Sequence, residues 1–501
     1  MGGIFVANTS QMTTHGVYGI ETSVPALAQQ SGTAVTAIVG QFPWGPVGVV
    51  TDINSPGDLV RLFSPVGMSR SSTGYLAASR KPFARLKVVR VLSSTAVAAF
   101  KALSNAVPTV ITTVTLKSKG VAGNGVTVTV ANPSDGDANH FKLTVTVTDT
   151  FGATSESWDN VNLSGVGADT VFDLSSAALV GSIVKNAAGR PVNGTFSFAG
   201  GTDGTAITAA DYSGTPTAGD LGLAALENDA SIRHVFVDDC GASIRAAVNA
   251  AIMAHVDSMG DRQGYIDGPS GETQAAAKTN VASYRSQNVV YCVPWVQQLD
   301  DSGNTISVPP SSYVAALTAS KSPSTSPAIK DVASARVLAN IRGVVTNYGI
   351  GRADLSLNGI AVLFREDTGE FHLEDGVNTL APIDAARKNI TRTRMLMMIV
   401  SDLRSLLKTY TDAPNIQELW DQIYQVTYDY LKPLLDNKRK DFINLPFVEN
   451  FLIEPMSSVN TEQTAAQGLC FVSIKVKTAQ DARWIPILAQ VGPTVSIKEV
   501  A

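Results

Sequence analysis

The fold is decided by residues 232–294, IRHVFVDDCGASIRAAVNAAIMAHVDSMGDRQGYIDGPSGETQAAAKTNVASYRSQNVVYCVP. Short apolar runs alternate in it with longer segments, and the first of these segments repeats apolar residues on one helical face. We predict strands at Ile232–Val237, Tyr265–Asp267 and Val289–Val293, with helices at Ile244–Val256 and Thr273–Ser286. Strands that alternate with helices build βαβ units, so this stretch predicts a parallel α/β sheet.

The same pattern extends toward the N-terminus. The segment Val35–Phe63 begins with an apolar strand, passes a Gly-Pro turn region and ends in an amphipathic turn of helix that Ser55 opens. A helix near Ser71–Ser79 and a strand at Leu86–Leu92 follow. These elements predict a first part of the core on the N-terminal side of an insertion.

The insertion is a β-rich stretch that runs from about Val107 to Gly204. It is rich in Thr, Val, Gly and Ser, and it contains alternating runs at Val126–Val130 and Phe141–Thr148 between turn residues. The α/β pattern resumes after the polar turn Gly200–Gly204. We therefore predict a separate β-rich domain inserted into the core.

The C-terminal third is predicted to hold the longest helices. Apolar residues recur at helical spacing in Ala385–Tyr410 and in Asn415–Leu431, and strands are expected at Val448–Ile453 and Leu469–Lys477. The stretch Asp300–Ala328 is rich in Ser, Pro and Thr and is predicted to be loop.

The composition is that of an ordinary globular protein. The 501 residues carry a formal net charge of −5, with 16% charged and 44% hydrophobic residues, which disfavours a general nucleic-acid role. The three cysteines are far apart and lack a CxxC spacing, so we expect reduced core cysteines and neither a zinc site nor a disulfide framework. The longest apolar run is too short to span a bilayer and no signal-peptide pattern opens the chain, so membrane insertion and export are not expected.

Three carboxylates raise the question of catalysis. Asp238 and Asp239 follow one predicted strand and Asp267 follows the next, and ligands of open parallel sheets bind outside the carboxyl ends of the strands. Such carboxylates are suited to Mg²⁺, so a metal-dependent α/β hydrolase is one alternative. Acidic residues are also common in turns and near helix N-termini, and we favour that interpretation. No nucleophile, cofactor site or metal site is assigned.

Two kinds of segment point instead to assembly. The last residues, TVSIKEVA, alternate apolar and polar side chains after Gly492-Pro493, and GVYGIE near the N-terminus also has strand character. A lone strand needs an edge to pair with, so we predict two terminal arms that add strands to neighbouring subunits. The arm residues assigned to this role are Val17, Tyr18, Ile20, Val495, Ile497 and Val500.

The densest basic cluster follows the second long helix. It comprises Lys438, Arg439 and Lys440. Such a run usually complements the helix dipole in solvent, and it is also suited to an acidic partner.

Several motifs resemble the sheath proteins of contractile phage tails, a family that includes the sheaths of contractile bacteriocins and, more distantly, of type VI secretion. HGVYGIE at His15–Glu21 is similar to the family's PGVYxxE opening, with His15 in place of the usual proline. The segment Thr36–Phe63 resembles its strand and glycine-proline turn, and KGVAGNGVTVTV at Lys119–Val130 resembles its glycine-asparagine turn. The resemblance rests on the order of these pieces along the chain.

The central passages follow the same order. GGTDGT at Gly200–Thr205, GDRQGYIDGP at Gly260–Pro269 and VPPSSYVAAL at Val308–Leu317 resemble family passages. FHLEDGVNTL at Phe371–Leu380 departs from the family's glycine-rich pattern, which leaves details of the C-terminal core open.

The resemblance implies a structural protein without catalytic residues, cofactor or metal. It implies hexameric rings stacked around an inner tube in a virion tail, assembled in the bacterial host cytoplasm and contracting to drive the tube through an envelope. The implied partners are further copies of the chain, the tail tube protein, and baseplate and terminator proteins, with no direct nucleic acid. Another self-assembling tail component is the nearer alternative.

The predicted architecture is a multidomain α/β and α+β chain. We expect a sheath core near the tube, an outward β-rich insertion and extended terminal arms, with Lys438, Arg439 and Lys440 as a candidate tube contact. The predicted divisions are 1–21 (N-terminal arm), 22–105 (first part of the core), 106–204 (β-rich insertion), 205–345 (βαβ-type domain), 346–491 (C-terminal core) and 492–501 (C-terminal arm).

Overall fold

A computed structural model describes residues 5–6, 19–20, 35–64, 72–83, 85–149, 152–214, 222–384, 387–436 and 447–478. The chain divides into two compact units, Met1–Asp412 and Ala413–Ala501. The chain contains both helices and strands, and the strands form several sheets, as the sequence predicts for an α/β and α+β chain.

The N-terminal part of the first unit supplies three of the eight strands of the central sheet. Helix α1 begins as predicted, because the Ser55 side chain accepts a hydrogen bond from Asp58 N at 3.1 Å and Pro56 occupies the first turn. The sequence does not predict the strand at Thr51–Ile53, since its three residues are too few to show an alternation. The described elements here are β1 (Phe5–Val6), β2 (Gly19–Ile20), β3 (Val35–Gly40), β4 (Thr51–Ile53), α1 (Pro56–Phe63), α2 (Thr73–Ala78) and β5 (Leu86–Arg90).

A β-rich region then forms two antiparallel sheets around one hydrophobic core. Its strands are β6 (Ala98–Ser104), β7 (Val110–Lys119), β8 (Thr127–Ala131), β9 (His140–Asp149), β10 (Gly152–Asn162), β11 (Val180–Lys185) and β12 (Gly194–Ser197). One sheet has the order β10-β9-β8-β12 and the other β11-β7-β6. Alternate residues such as Val128, Leu143 and Val145 are fully buried between them. Strand β6, which precedes residue 106, pairs with β7 in this region.

The rest of the first unit alternates helices and strands. Its elements are α3 (Ala209–Ser213), β13 (Ile232–Val237), α4 (Arg245–Met259), β14 (Gln263–Asp267), α5 (Gln274–Val281), β15 (Val289–Val293), β16 (Val296–Leu299), β17 (Thr305–Val308), α6 (Ser311–Ala319), α7 (Val332–Leu338), β18 (Gly343–Val344), α8 (Arg352–Leu357), β19 (Ile360–Arg365), β20 (Phe371–Leu373) and α9 (Ile390–Leu407). The predicted strands at Ile232–Val237 and Val289–Val293 match their observed bounds.

The loop prediction for Asp300–Ala328 is wrong, because β17 and α6 lie inside that stretch. Helix α6 is buried on all sides, so its sequence shows no apolar stripe against a polar face. Two of its hydroxyl groups are satisfied locally: Thr318 Oγ1 donates to Val314 O at 2.7 Å and Ser312 Oγ donates to Pro309 O at 3.2 Å. A polar composition therefore hides a core helix here.

The central sheet has eight strands in the order β20-β19-β15-β14-β13-β3-β5-β4. Pairs from β19 through β5 are parallel, which confirms the predicted parallel α/β sheet. The two edge strands, β20 and β4, are antiparallel to their neighbours. A separate small sheet has the order β17-β16-β18.

Helices cover both faces of the central sheet. On one face Ile38, Phe236 and Tyr265 pack with residues of α1, α2, α6 and α7. On the other face Val39 and Val235 pack with residues of α3, α4, α5 and α8. Successive residues of a strand point to opposite faces, so the continuous apolar strands are explained by burial on both sides.

The second unit contains one long helix and a two-stranded sheet. Its described elements are α10 (Gln417–Asp436), β21 (Asn450–Ile453), α11 (Met456–Val459), α12 (Glu462–Ala466) and β22 (Ile474–Lys477). The predicted strand at Leu469–Lys477 is shorter in the structure and begins at Ile474. Within the described ranges, no helix combines the length and the apolar character needed to cross a membrane.

The β-rich region is attached to the central sheet by a buried arginine. Arg90, at the end of β5, is 0% exposed, and burial lowers its pKa to about 9. All of its donor positions are used, on four backbone carbonyls and one hydroxyl. The acceptors are Phe42 O (2.5 Å), Gly45 O (2.7 Å), Pro43 O (2.9 Å), Lys119 O (2.7 Å) and Ser118 Oγ (3.0 Å).

Two further contacts close the same attachment. Trp44, from the loop after β3, packs in the hydrophobic core of the β-rich region. The two ends of the region meet where Val97 N donates to Thr202 O at 2.9 Å and Thr202 N donates to Val97 O at 3.1 Å. The inserted region is therefore fixed to the sheet by specific contacts on both its entering and its leaving chain.

Candidate functional site

The carboxyl ends of the central strands carry the predicted acidic residues. Asp238 follows β13 and is fully buried beside Gly40 at the end of β3, where an added Cβ would lie 3.0 Å from Asp238 Cγ. Its carboxylate accepts hydrogen bonds from Gln41 N (2.7 Å), Tyr212 OH (2.6 Å) and the Thr73 hydroxyl. Burial raises the pKa of Asp238, and these three donors oppose that shift.

The other two carboxylates are committed to different partners. Asp239 Oδ1 accepts from Arg245 at 2.6 Å, and the Arg245 guanidinium lies over the Trp295 ring at 4.9 Å from its centroid. Asp267 is 2% exposed, and its Oδ1 accepts Ser311 N at 2.7 Å at the start of α6. Burial raises the pKa of Asp267 to about 7.

These contacts show three structural carboxylates and no shared ligand set. Asp238 joins β13 to the loop after β3, to α2 and to α3, while Asp267 caps a buried helix. Among the described residues, no group of three His, Cys, Asp or Glu side chains is placed to hold a metal ion. The contacts therefore support the structural interpretation that the sequence favours.

Two of the three cysteines and His255 are buried. Cys240 and Cys292 are buried as predicted, whereas Cys470 is only partly buried and is not a core residue. His255 is 9% exposed, and burial lowers its pKa to about 4.

In its described residues, the second unit has a two-stranded sheet whose outer edges pair with no further strand. Strands β21 and β22 are antiparallel, with Phe451 opposite Val476 and Leu452 opposite Lys475. Neither strand has a second neighbour among the described strands, so within the described residues each has an outer edge whose backbone groups pair with no further strand. Leu452 is 54% exposed. Two strands alone are marginal in water, which makes this hairpin a candidate acceptor for further strands.

The hairpin is supported from one side by the segment that connects its strands. Asn460 is 2% exposed and donates to Met456 O (3.0 Å) and Phe471 O (2.9 Å), while its Oδ1 accepts Phe471 N at 2.6 Å. The Asn460 side chain thus links α11 to the segment that precedes β22. The Tyr428 ring of α10 lies 5.8 Å from the ring of Phe451 on β21.

Most of the predicted assembly residues lie outside the described residues: Val17, Tyr18, Val495, Ile497, Val500, Lys438, Arg439 and Lys440. Ile20 lies in β2, where it pairs in parallel with Val6 of β1 in the same chain. Their roles stay predictions. Sequence reasoning predicted strands near β21 and β22 but did not assign them an acceptor role; the one signal in the sequence is the alternation of apolar and charged residues in β22.

The central part of the chain matches a known protein family. Residues 205–379 match the phage tail sheath protein central domain. This match includes β13 through β20, the stretch from which the parallel sheet was predicted. It confirms the resemblance to contractile tail sheath proteins. Among curated proteins, none matches the chain.

Solved structures of sheath proteins share the fold over most of the chain. A sheath tail protein of Listeria innocua has 16% identity and a TM-score of 0.61, covering 89% of this chain and 95% of its own. One of Desulfitobacterium hafniense has 17% identity and a TM-score of 0.56, covering 88% and 93%. The helical sheath of the anti-feeding prophage in its contracted state has 15% identity and a TM-score of 0.57, covering 95% and 98%.

Proposed function

We propose that this chain, which shares its central domain with phage tail sheath proteins and its fold with solved sheath proteins, is a structural subunit of a contractile tail sheath. The observation that carries the proposal is the colinear sheath fold over 89% of this chain and 95% of a solved sheath tail protein. The three structural carboxylates at the sheet edge support a structural role over the hydrolase alternative.

In this role the subunits form hexameric rings that stack helically around an inner tube in a virion tail. Shortening of the stack drives the tube through the target envelope. The partners are further copies of the chain, the tail tube protein, and baseplate and terminator proteins, and assembly takes place in the host cytoplasm. A solved sheath in a contracted state and a baseplate complex of the same system share this fold, which supports such a setting.

The terminal arms add strands to the β21–β22 hairpin of neighbouring subunits. Each outer edge of the hairpin offers backbone donors and acceptors, and main-chain pairing tolerates many side chains. The alternating arm sequence around Val495 and Ile497 is suited to such an edge. Arms paired in this way would keep subunits connected while the folded units rotate.

Electron microscopy of the purified full chain tests the proposal. Rings or tubes are expected, and a monodisperse monomer under all assembly conditions would contradict it. A chain that lacks residues 495–501 is expected to fold, as judged by an unchanged melting temperature, and to form no tubes. Normal tubes from that chain would remove the C-terminal arm from the mechanism.

The cluster Lys438, Arg439 and Lys440 is the proposed contact with the tube. Exchange of all three for Glu should weaken assembly templated by the tube protein, most strongly at low salt, because screening suppresses charge attraction. Unchanged templated assembly at low salt would remove this contact. Untemplated assembly of the same variant is the control.

A further inference from the structure

The segment that joins β10 to β11 runs back beside β10 and is fastened to it. Residues 163–179 form this segment, which we call the strap. Thr170 N donates to Asn162 O at 2.8 Å, and Asn162 N donates to Thr170 Oγ1 at 2.7 Å. Farther along, the Phe172 ring lies 6.2 Å from the Trp158 ring of β10. The strap therefore follows β10 in the antiparallel direction.

The far end of the strap is held by one carboxylate of β10. Glu156 Oε1 accepts hydrogen bonds from Ala178 N and from Leu179 N at 2.9 Å, and Oε2 accepts Val180 N at 3.2 Å. Leu179 and Val180 are 5% and 1% exposed, so their N–H groups need a partner within the protein. Hydrogen bonds to a charged acceptor are the stronger kind, and three consecutive donors share this one.

Packing does little to close the same end of the strap. A cavity of about 270 Å³ lies there, and its walls include Thr154 of β10 together with Ala178 and Leu179. The side chains of the strap and of β10 thus leave space between them beside the Glu156 carboxylate. Without that carboxylate, the three N–H groups would need water, and the end of the strap would have to lift to reach it.

Strand β10 is a long edge strand. It has 11 residues and stands at the end of the order β10-β9-β8-β12, with β9 as its one neighbour among the described strands. Trp158 packs against the hydrophobic core of the β-rich region, and Glu156 lies two residues away on the same side of the strand. An inward-pointing charge and a covering segment are two devices that keep edge strands from pairing with other chains.

We propose that Glu156 is a latch that holds the strap against β10 and thereby keeps the β10 edges of two copies of the chain from pairing. Release of the latch frees the end of the strap, and the uncovered edge adds β10 of a second copy through backbone hydrogen bonds. A second copy carries the same edge, and antiparallel pairing of identical edges closes with two-fold symmetry. In a pairing centred on Glu156 the two carboxylates would also oppose each other, which is unfavourable. Neither effect depends on the proposed sheath assembly.

Hydrogen exchange of the unassembled full chain tests the latch. In E156A, the amides of Ala178–Val180 should exchange about tenfold faster or more, because they lose a charged acceptor. D173A is the matched control, since Asp173 is a carboxylate of the strap whose Oδ1 accepts Ser175 N at 2.9 Å, a bond within the strap itself. Its exchange at Ala178–Val180 should equal that of the wild type.

Sedimentation velocity at rising protein concentration tests the masked edge. Under conditions in which the wild type and D173A remain monomeric, E156A should form a dimer. The double variant E156A/S157K should stay monomeric, because a lysine on an exposed edge opposes strand pairing. E156Q keeps an acceptor oxygen without the charge, so it should show both effects more weakly, and it carries the test if E156A does not fold.

Three results would overturn the proposal. The first is unchanged exchange at Ala178–Val180 in both Glu156 variants. The second is faster exchange there in E156A while that variant stays monomeric at every concentration. The third is a dimer that forms equally in E156A and in E156A/S157K, since such a dimer would not use the β10 edge.

Discussion

The buried Arg90 gives the most direct test of how the β-rich region is held. The substitution Arg90→Met keeps a long side chain but removes every donor, so four backbone carbonyls and the Ser118 hydroxyl each lose one hydrogen bond. Leaving buried acceptors unpaired costs about 1–3 kcal/mol each, and this is partly offset because a buried charge no longer needs to be desolvated. We expect a net loss of about 4 kcal/mol in the free energy of unfolding.

Arg90→Lys separates charge from geometry. Lysine retains the charge and three donors, but it lacks the planar fork that reaches carbonyls on both sides of the attachment. We expect a loss of about 2 kcal/mol, roughly half that of R90M. Arg61→Met is the control, because Arg61 is an exposed arginine paired with Asp58 at 3.2 Å, and exposed pairs contribute less than about 1 kcal/mol.

Urea denaturation of the unassembled chain measures the global effect, and hydrogen exchange measures the local one. Exchange at Val97, Phe100, Ala199 and Thr202 should accelerate in R90M, because their backbone pairs close the attachment. Strand β14 should be less affected. The reasoning is refuted if R90M loses less than about 1 kcal/mol, or if R90K and R90M lose the same amount.

Three further outcomes are expected. In urea titrations, Asp267→Asn should gain stability relative to the wild type as pH rises from 4 to 8, by up to about 4 kcal/mol. The folded pKa of Asp267 is raised to about 7, so the native protein favours the protonated acid and loses stability when the acid ionises. Parallel pH profiles of the two proteins would contradict this. Tyr212→Phe should lower the melting temperature by leaving one Asp238 oxygen without its donor at 2.6 Å, a loss of about 1–3 kcal/mol, and an unchanged melting temperature would disprove the network. Asn460→Ala should reduce tube formation, measured by sedimentation, because it removes the hydrogen bonds that support the β21–β22 hairpin, whereas the exposed control Gln467→Ala should not. Equal tube formation by both variants would show that assembly does not depend on the hairpin.

The parallel sheet is visible in the sequence because its strands are buried on both faces. Continuous apolar runs such as Val289–Val293 contrast with the helices between them, and this contrast is local. Burial on every side has the opposite effect on helix α6, since it leaves the helix no polar face, and Ser312 and Thr318 satisfy their hydroxyl groups within the turn. Burial on all sides therefore removes the periodicity on which a helix prediction depends.

The sites were less accessible to sequence reasoning. The sequence correctly places three carboxylates, Asp238, Asp239 and Asp267, at the carboxyl ends of the strands. Their separate partners come from distant segments, such as those of Thr73 and Ser311. The cavity of about 400 Å³ between α7 and the β19–β20 hairpin joins residues that only the packed fold brings together. Pairings of this kind leave no local pattern in the chain.

The meeting of Val97 and Thr202 has a practical consequence for protein engineering. Two residues that exchange both backbone hydrogen bonds have Cα atoms about 5.5 Å apart, so the β-rich region leaves the central sheet and returns to it through adjacent points. A foreign domain with similarly spaced termini can replace the region as a cassette without stretching any connection of the sheet. Such a graft would carry a cargo or a reporter at a fixed position on each copy of the chain, provided that Arg90 and Trp44 are given equivalent partners.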